Sequence, residues 1–485
     1  MKQKSSNNII LKNLSWIVFA NIIAKPLWFL FLVFSARILG PEDFGKFNFA
    51  ISFVLIFSIL YELGMDLFTV REVSINRQQS GKLLGNSLII KVALIPMVSS
   101  LIILVANLFG YSDVTIQAVY WSILYVMFIT TANYLRSFFR GFEKINYEAF
   151  TVIFEKIVLC FSGGYALVFS SGVINFFKLL TAGALMSSIF TASLLFIKLV
   201  KPKFSFDFSL MRGILKKAMP FALMNIFILI YFRIDMVMLS LMKNETIVGL
   251  YSSGYRIMEM LLIIPAILMI PIYPAMSRLT VNDRSKFREL SQISVKGILL
   301  ISLPVTLVIF FLANIFMLLF YGDSEYLLAT GALKILVFAL PFNGLTTVFT
   351  TMLAANNRQL LTTRNSGICA VFNIVLNFGL IPKYGFMGAA AATLATEGLL
   401  TALSYLAVFN HLGEKICPAY MVKFLVLTLF VLCFNIVFQI FGLSIYIVSF
   451  ISFLCFVGGL FILNLFEVSL LKQLLPGIIR YKNEH

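Results

Sequence analysis

Residues 36–50 read ARILGPEDFGKFNFA: an apolar run, a Gly-Pro break carrying two acids, and apolar residues again. Counting forward 204 positions gives SLMKNETIVGLYSSG at 240–254, a paler copy with Gly249 in register with Gly45. A short charged turn, repeated inside nearly continuous hydrophobic sequence, is the mark of a duplicated membrane unit, and its surroundings agree. The 485 residues are 60% hydrophobic and 12% charged, with 51 Phe and a mean hydropathy of +0.97. Soluble domains carry about 25% charged residues. The apolar stretches last about 20 residues without alternation, which fits transmembrane helices and not barrel strands.

Fourteen runs are long enough to cross about 30 Å of hydrocarbon. They fall at 13–35, 47–68, 84–109, 115–137, 149–170, 174–198, 215–241, 248–273, 293–319, 327–352, 365–382, 386–409, 420–440 and 444–466. The eleventh is the weakest, because Asn373 and Asn377 dilute it. MKQKSSNNIILKN lacks the pattern of a cleavable signal, so the first run reads as an uncleaved span. Lys and Arg sort by side: 26 lie in loops on the side of the N-terminus and only Arg37, Lys46, Lys243 and Lys383 in the opposite loops. That asymmetry puts both termini in the cytoplasm. It also accounts for the net charge of +17 as topology, with no call for nucleic acid.

The repeat extends beyond the opening turn. ILKN (10–13) matches ILKK (214–217), Asn21 matches Asn225, and with a drifting offset SSGV (170–173) meets KYGF (383–386). Six spans separate each element from its copy, so both copies enter the membrane in the same direction and form a parallel repeat. The expected architecture is all-α: two pseudo-symmetric six-helix lobes around a central cavity, plus two C-terminal helices. In residue terms these are an N-lobe at 1–200, a cytoplasmic connector at 201–214, a C-lobe at 215–410, and spans thirteen and fourteen with a tail at 411–485. Every outside loop is short, which disfavours catalytic loops and ectodomains. The five Cys show no paired spacing and the two His stand alone, so no cofactor or metal site is expected.

Charges inside spans are expensive and serve as default site candidates. Lys178, Lys296, Lys334 and the Glu155/Lys156 pair lie near span ends and read as side chains snorkelling to the surface. Lys91 is about two turns into span three. Lys25 stands mid-span beside Pro26, with Asn21 one turn away, where a water-filled cavity is the expected neighbour. Arg233 and Asp235 on span seven, with Arg256 and Glu259 on span eight, are expected at one depth. By the 204 offset Lys25 maps to Leu229, one turn from Arg233, so the two cations point from equivalent faces. Lys25, Arg233, Arg256, Asn21, Asn225 and Lys91 are thus the candidates for an anionic substrate, with phosphates the obvious anions. Glu397, Asp235, Glu259 and Asp66 are the candidates for ion coupling or cavity ion pairs; Asp66 lies one turn from Glu62, and Glu397 sits mid-span in the twelfth run.

ARILGPEDFGKF resembles the signature turn of bacterial polysaccharide flippases of the MATE-like superfamily of multidrug, oligosaccharidyl-lipid and polysaccharide exporters. NFGLIPKYGFMGAAAATLATE (377–397) and YLRSFFRGFEKINYEAF (134–150) resemble their later turns. What the resemblance implies is a flippase for undecaprenyl-pyrophosphate-linked oligosaccharides such as O-antigen units, moved from the cytoplasmic to the periplasmic leaflet of the inner membrane. It implies a monomer among membrane lipids, with the polysaccharide polymerase of the pathway as a possible partner. Span one lacks the several arginines of peptidoglycan-precursor flippases. A multidrug or cation antiporter of the same superfamily, or a polymerase or ligase of the same glycan pathway, are the alternatives.

The charge asymmetry generates a topological test. A reporter inserted in the 199–214 connector is expected to read as cytoplasmic and one at Lys243–Asn244 as periplasmic. The opposite readout at either site overturns the span assignment.

Overall fold

The computed structural model describes residues 2–170, 172–322, 325–414, 418–441, 444–463 and 465. Ser171, Lys415, Cys417, Lys472, Arg480, Lys482 and His485 lie outside the described residues, as do the side chains of Lys2, Lys4 and Lys12. Every regular element among the described residues is helical. In order the helices are α1 (Lys2–Glu62), α2 (Met65–Ile75), α3 (Ser80–Leu108), α4 (Asp113–Gly141), α5 (Ile145–Phe169) and α6 (Val173–Lys198). There follow α7 (Phe208–Met242), α8 (Glu245–Leu261), α9 (Ile263–Asn282), α10 (Arg284–Phe311) and α11 (Ala313–Tyr321). The last are α12 (Thr330–Leu336), α13 (Ala339–Ala355), α14 (Gln359–Leu412), α15 (Pro418–Ile440) and α16 (Ile445–Ile462).

Among the described residues ten helices are long and apolar enough to cross a membrane, or eleven if the pair Glu325–Leu336 and Ala339–Ala355, bent by 41°, is one span. Helices are the natural result here, since lipid offers backbone groups no partners. Two helices exceed a single crossing: α1 has 61 residues and α14 has 54. Each is broken at one glycine with non-helical geometry, Gly40 (φ 72°) in α1 and Gly385 (φ 55°) in α14. A side chain at either position would be strained in that conformation. Asn373 and Asn377, which dilute the eleventh apolar run, are fully buried inside α14.

The chain packs as two compact units. The first runs to Ser253 and takes in Asn377–Phe386; the second comprises Gly254–Leu376 and the chain from Met387 onward. In the first, α1 packs against α4, α5 and α7, and α4 against α6. Its interior is aromatic: Phe44, Phe47, Phe49, Phe176 and Phe177 are fully or almost fully buried. Phe47 meets both Phe176 and Phe177, at 5.2 and 5.3 Å between ring centroids. In the second unit α10 packs against α13 and α9, and α15 pairs with α16.

At one end of the second unit Asp283 caps α10, its Oδ1 accepting from the Ser285 and Lys286 amides at 3.1 and 3.0 Å. The Lys286 amide bond is the main reason its carboxyl stays below the usual range. Buried Glu414 then ties the start of α10 to the end of α14, taking Arg284 Nε at 3.0 Å and Arg288 Nε at 2.7 Å.

The opening turn and its copy meet in the first unit. A Cβ added at Gly45 would lie 1.7 Å from the Glu245 carbonyl oxygen, and one added at Gly249 would lie 1.9 Å from that of Pro41. Pro41 and Glu245 are themselves 204 positions apart. The contact is therefore reciprocal: each copy presents its glycine to the other's carbonyl, as a local twofold axis requires. The break itself is built differently in the two copies. Gly40 takes positive φ before Pro41, whereas Asn244 caps α8 through its side chain, Oδ1 accepting from the Ile247 amide at 2.9 Å. The later pair also keeps its backbone, since Gly172 (φ 89°) and Gly385 (φ 55°) are both in the positive-φ region.

Gly45→Ala and Gly249→Ala should each force the helices apart and cost at least about 1–3 kcal/mol. Gly164→Ala in α5, where a Cβ meets nothing within 4 Å, should be neutral or gain about 0.5–1 kcal/mol. Thermal unfolding of the three variants in one detergent is the check. Equal behaviour at Gly45 and Gly164 would mean that the contact is not what holds the crossing.

Candidate functional site

The acids of the opening turn are held by more than a helix dipole. Lys46 Nζ bonds Glu42 at 2.7 Å and Asp43 at 3.0 Å, and its side chain is only 11% exposed. In the copy, Glu245 at the start of α8 accepts a hydrogen bond from Thr115 Oγ1 at 3.0 Å.

Asp235 lies deep in α7 at 4% exposure. Its Oδ2 accepts from the Tyr251 hydroxyl at 2.8 Å and its Oδ1 from Asn377 Nδ2 at 2.6 Å. These are two neutral donors from other helices, converging on one carboxylate. Asp235 was legible in the sequence as a charge at depth; Tyr251 and Asn377 were not. The only sign of Asn377 was that it weakened an apolar run.

A second cluster forms where α1 ends and α2 begins. Leu63 (φ 46°) and Gly64 (φ 67°) both adopt left-handed geometry. For Leu63 that costs roughly 1–2 kcal/mol, and it turns the chain between Glu62 and Asp66. Lys91 of α3, 3% exposed, stands within electrostatic reach of both acids. Its Nζ sits 5.3 Å from the Tyr61 ring centroid and 5.0 Å from that of Tyr134. Tyr61 in turn shares a 2.5 Å hydrogen bond with Thr130. Of the sequence candidates, Lys91 and Asp66 are thus brought together, one expected to serve the substrate and the other the ion.

Lys25 is exposed on α1 and Arg233 half-buried on α7. Asn21 spends its amide on its own helix, donating to Ile17 O at 2.9 Å. Asn225 is half-buried on α7. In the second unit Arg256 pairs with Glu259 one turn along α8. Glu397, 1% exposed in α14, accepts from Asn343 Nδ2 at a long 3.4 Å.

The Glu155/Lys156 pair does not snorkel as expected. Glu155 is 2% exposed, and its Oε2 lies 2.8 Å from Arg136 Nη2 while its Oε1 takes Lys156 Nζ at 2.8 Å. Arg136, which the sequence sorts among the loop charges, is itself 3% exposed. It donates further to Thr151 Oγ1 (3.1 Å), Thr151 O (3.0 Å) and Asn133 Oδ1 (2.9 Å). The physical reason is that a guanidinium with five donors can be buried if each finds an acceptor, which a helix-end position alone does not reveal. Lys178, Lys296 and Lys334 lie against the rings of Trp121, Tyr420 and Phe310, at 6.0, 3.7 and 5.7 Å from the centroids.

Against this geometry the comparisons with known proteins agree on one class. The sequence profile of the polysaccharide biosynthesis protein family matches residues 10–280, and the MatE profile matches 220–378. Solved structures with the same fold include the lipid II flippase MurJ in an inward closed conformation, with a TM-score of 0.73 at 18% identity over 90% of this chain and 97% of that one. An inward-facing MATE multidrug transporter follows, with a TM-score of 0.64 at 16% identity over 81% and 98%. The chain is a multi-pass membrane protein and belongs to the polysaccharide biosynthesis protein family of the MATE-like superfamily. Among its relatives, a protein of Haloferax volcanii named as the low-salt glycan biosynthesis flippase Agl15 is 25% identical over 79% of this chain and 80% of its own length. A protein of Shigella flexneri named as an O-antigen transporter is 23% identical over 85% and 99%.

Breaking the buried Arg136 network should show its structural weight. Arg136→Met leaves Glu155 without its guanidinium and is expected to cost about 3–5 kcal/mol, whereas an exposed pair such as Arg77–Glu143 should cost less than about 1. Folded yield by size exclusion, Arg136→Met against Arg77→Met, is the measurement. Matching yields would remove the network from the fold's supports.

Proposed function

We propose that this protein is a flippase for lipid-linked oligosaccharides, carrying repeat units of a surface polysaccharide of the O-antigen type from the cytoplasmic to the periplasmic leaflet. The observation that carries this is the family match over residues 10–280, joined to two named glycan transporters aligned over 80% and 99% of their own lengths. The proposed architecture has fourteen crossings, with α1 and α14 each divided at its glycine break, α8 joined to α9 and α12 joined to α13. Two six-helix lobes at 1–200 and 215–410 enclose a central cavity, the 201–214 segment connects them, and both termini are cytoplasmic. The protein works as a monomer and without catalysis, and the polymerase of its pathway is a partner to seek.

In this proposal Lys25 and Arg233 face the cavity and hold the pyrophosphate, with Asn21 and Asn225 near the sugars. Their charges suit an anion of two phosphates. Arg256 contributes less, because Glu259 already offsets it. Lys91 is a lesser candidate for the same reason, standing beside Glu62 and Asp66. Alternating access is driven by a proton or Na⁺ gradient acting through buried carboxylates, of which Asp235 and Glu397 are the foremost. The MatE match at 220–378 supports a second possibility, a cation antiporter; two cations in one cavity speak against it.

The test is complementation of a flippase-null strain. Lys25→Ala and Arg233→Ala should lose roughly 10- to 100-fold in substrate affinity, the equivalent of a charge-assisted contact. Surface glycan per unit of membrane-inserted protein should fall accordingly, and Lys25→Arg should retain much of it. Full surface glycan in both alanine variants moves the anion site elsewhere. Efflux of cationic drugs with no effect on glycan would favour the antiporter.

A further inference from the structure

The segment between α6 and α7 reads KPKFSFDFS at 201–209, and the structure shows that it is not a free linker. It is clamped along the start of α3. Lys203 N donates to Gly81 O at 2.8 Å, Asn86 Nδ2 donates to Ser205 Oγ at 3.1 Å, and Asp207 N donates to Asn86 Oδ1 at 3.3 Å. Two glycines admit the backbone: a Cβ at Gly81 would stand 3.0 Å from Lys201 O, and one at Gly85 only 2.2 Å from Lys203 O. Asp207 N also donates to Ser205 O at 2.7 Å, a tight three-residue turn with Phe206 at its apex.

This clamp leaves one face of the segment uncovered. Ser205 turns towards α3 and is half-buried, whereas Phe204, Phe206 and Phe208 are 66%, 88% and 80% exposed. Three phenylalanines held out on a fixed backbone, beyond the end of α6 and at the start of α7, are left mostly uncovered by the described residues. Basic residues flank them: Lys198, Lys201 and Lys203 before, Arg212, Lys216 and Lys217 after. Acid in the same stretch is limited to Asp207, one of whose oxygens caps the Leu210 amide at 2.9 Å. Behind the turn a cavity of about 350 Å³ opens between α2, α3 and α7, with Lys82 and Lys217 at its rim beside Glu72 and Asp207.

Apolar rings beside cations are the composition of a segment that lies in the membrane interface, rings among the acyl chains and cations at the headgroups. We infer that Phe204, Phe206 and Phe208 insert into the bilayer surface at this end of the helices, and that the flanking lysines and arginine recruit anionic phospholipid there. The occupant is the lipid of the protein's own membrane. Insertion ties the connector to the bilayer plane while Gly81, Gly85 and Asn86 tie it to α3, so the chain between α6 and α7 is a fixed strut. The inference needs only that the helices span a membrane, and it stands or falls apart from any substrate carried.

The experiment uses the full chain reconstituted in vesicles, with Phe206→Trp as reporter. Phe206 is nearly bare, so thermal stability should not change. The added emission, taken as the difference from the parent chain, is expected to be blue-shifted. It should be quenched by brominated phosphatidylglycerol roughly two- to five-fold more than by brominated phosphatidylcholine, since each cation near the surface favours anionic lipid by about that factor. Combining Phe206→Trp with Lys201→Ala and Lys203→Ala should shrink that preference while leaving quenching in place. Water-like emission that neither lipid quenches overturns the insertion and leaves the rings to solvent or a protein partner. Equal quenching by both lipids overturns the anionic assignment.

Discussion

Two glycines in backbone contact set the geometry on which the first unit depends. Helices in lipid gain nothing from hydrophobic association with each other, because the acyl chains are as apolar as leucine; close packing of small residues supplies much of the attraction instead. At Gly45 and Gly249 the approach is so tight that each α-carbon faces the other copy's carbonyl with no room for a methyl group. The rest of the turn is arranged to hold that approach. Gly40 and Pro41 deliver the chain into it on one side and the Asn244 cap on the other. The Lys46 pairs with Glu42 and Asp43 lock the first copy, and the Thr115 bond to Glu245 locks the second. Polar residues at the turn therefore act as clamps on a backbone contact.

The buried charges divide by how completely their hydrogen-bonding capacity is met. Arg136 reaches three hydrogen-bond acceptors and a carboxylate, and its network with Glu155 and Lys156 can be buried only because nearly every donor is used. Such an array supports a fold and offers nothing to a ligand. Asp235 is of a different kind. Its Oδ2 accepts from the Tyr251 hydroxyl of α8 and its Oδ1 from the Asn377 amide of α14, neutral donors on separate helices.

How much of this was legible follows from what each feature requires of the sequence. The membrane class needs only length and composition, and the opening turn needs a glycine where the chain must bend; both survive in one sequence without aid. The reciprocal crossing was half visible, as two glycines in register, because a contact that excludes side chains restricts residue type. Arg136 was misplaced among loop charges because burial depends on acceptors from α5, and position along α4 carries no trace of them. Asn377 looked like dilution, since a polar residue in an apolar span is uninformative until its partner is known. The breaks in the two long helices were legible as well: the apolar runs end at 35 and 382 and resume at 47 and 386, on either side of Gly40 and Gly385.

The repeat shows where divergence was tolerated. The backbone-demanding positions persist: Gly45 with Gly249, and Gly172 with Gly385. The intramembrane charges do not. By the 204 offset Arg233 corresponds to Phe29, Asp235 to Phe31, Arg256 to Ser52, Glu259 to Leu55 and Lys25 to Leu229. A packing constraint acts equally on both copies, because each glycine is the other's partner and losing either loses the contact. A charge that binds or couples faces no such demand, since one copy suffices and a second buried charge carries its own desolvation cost. Symmetry in the backbone with asymmetry in the charges is then the expected outcome of a duplicated scaffold in which the work has settled on particular residues. At all five pairs a charge in one copy stands opposite an uncharged side chain in the other.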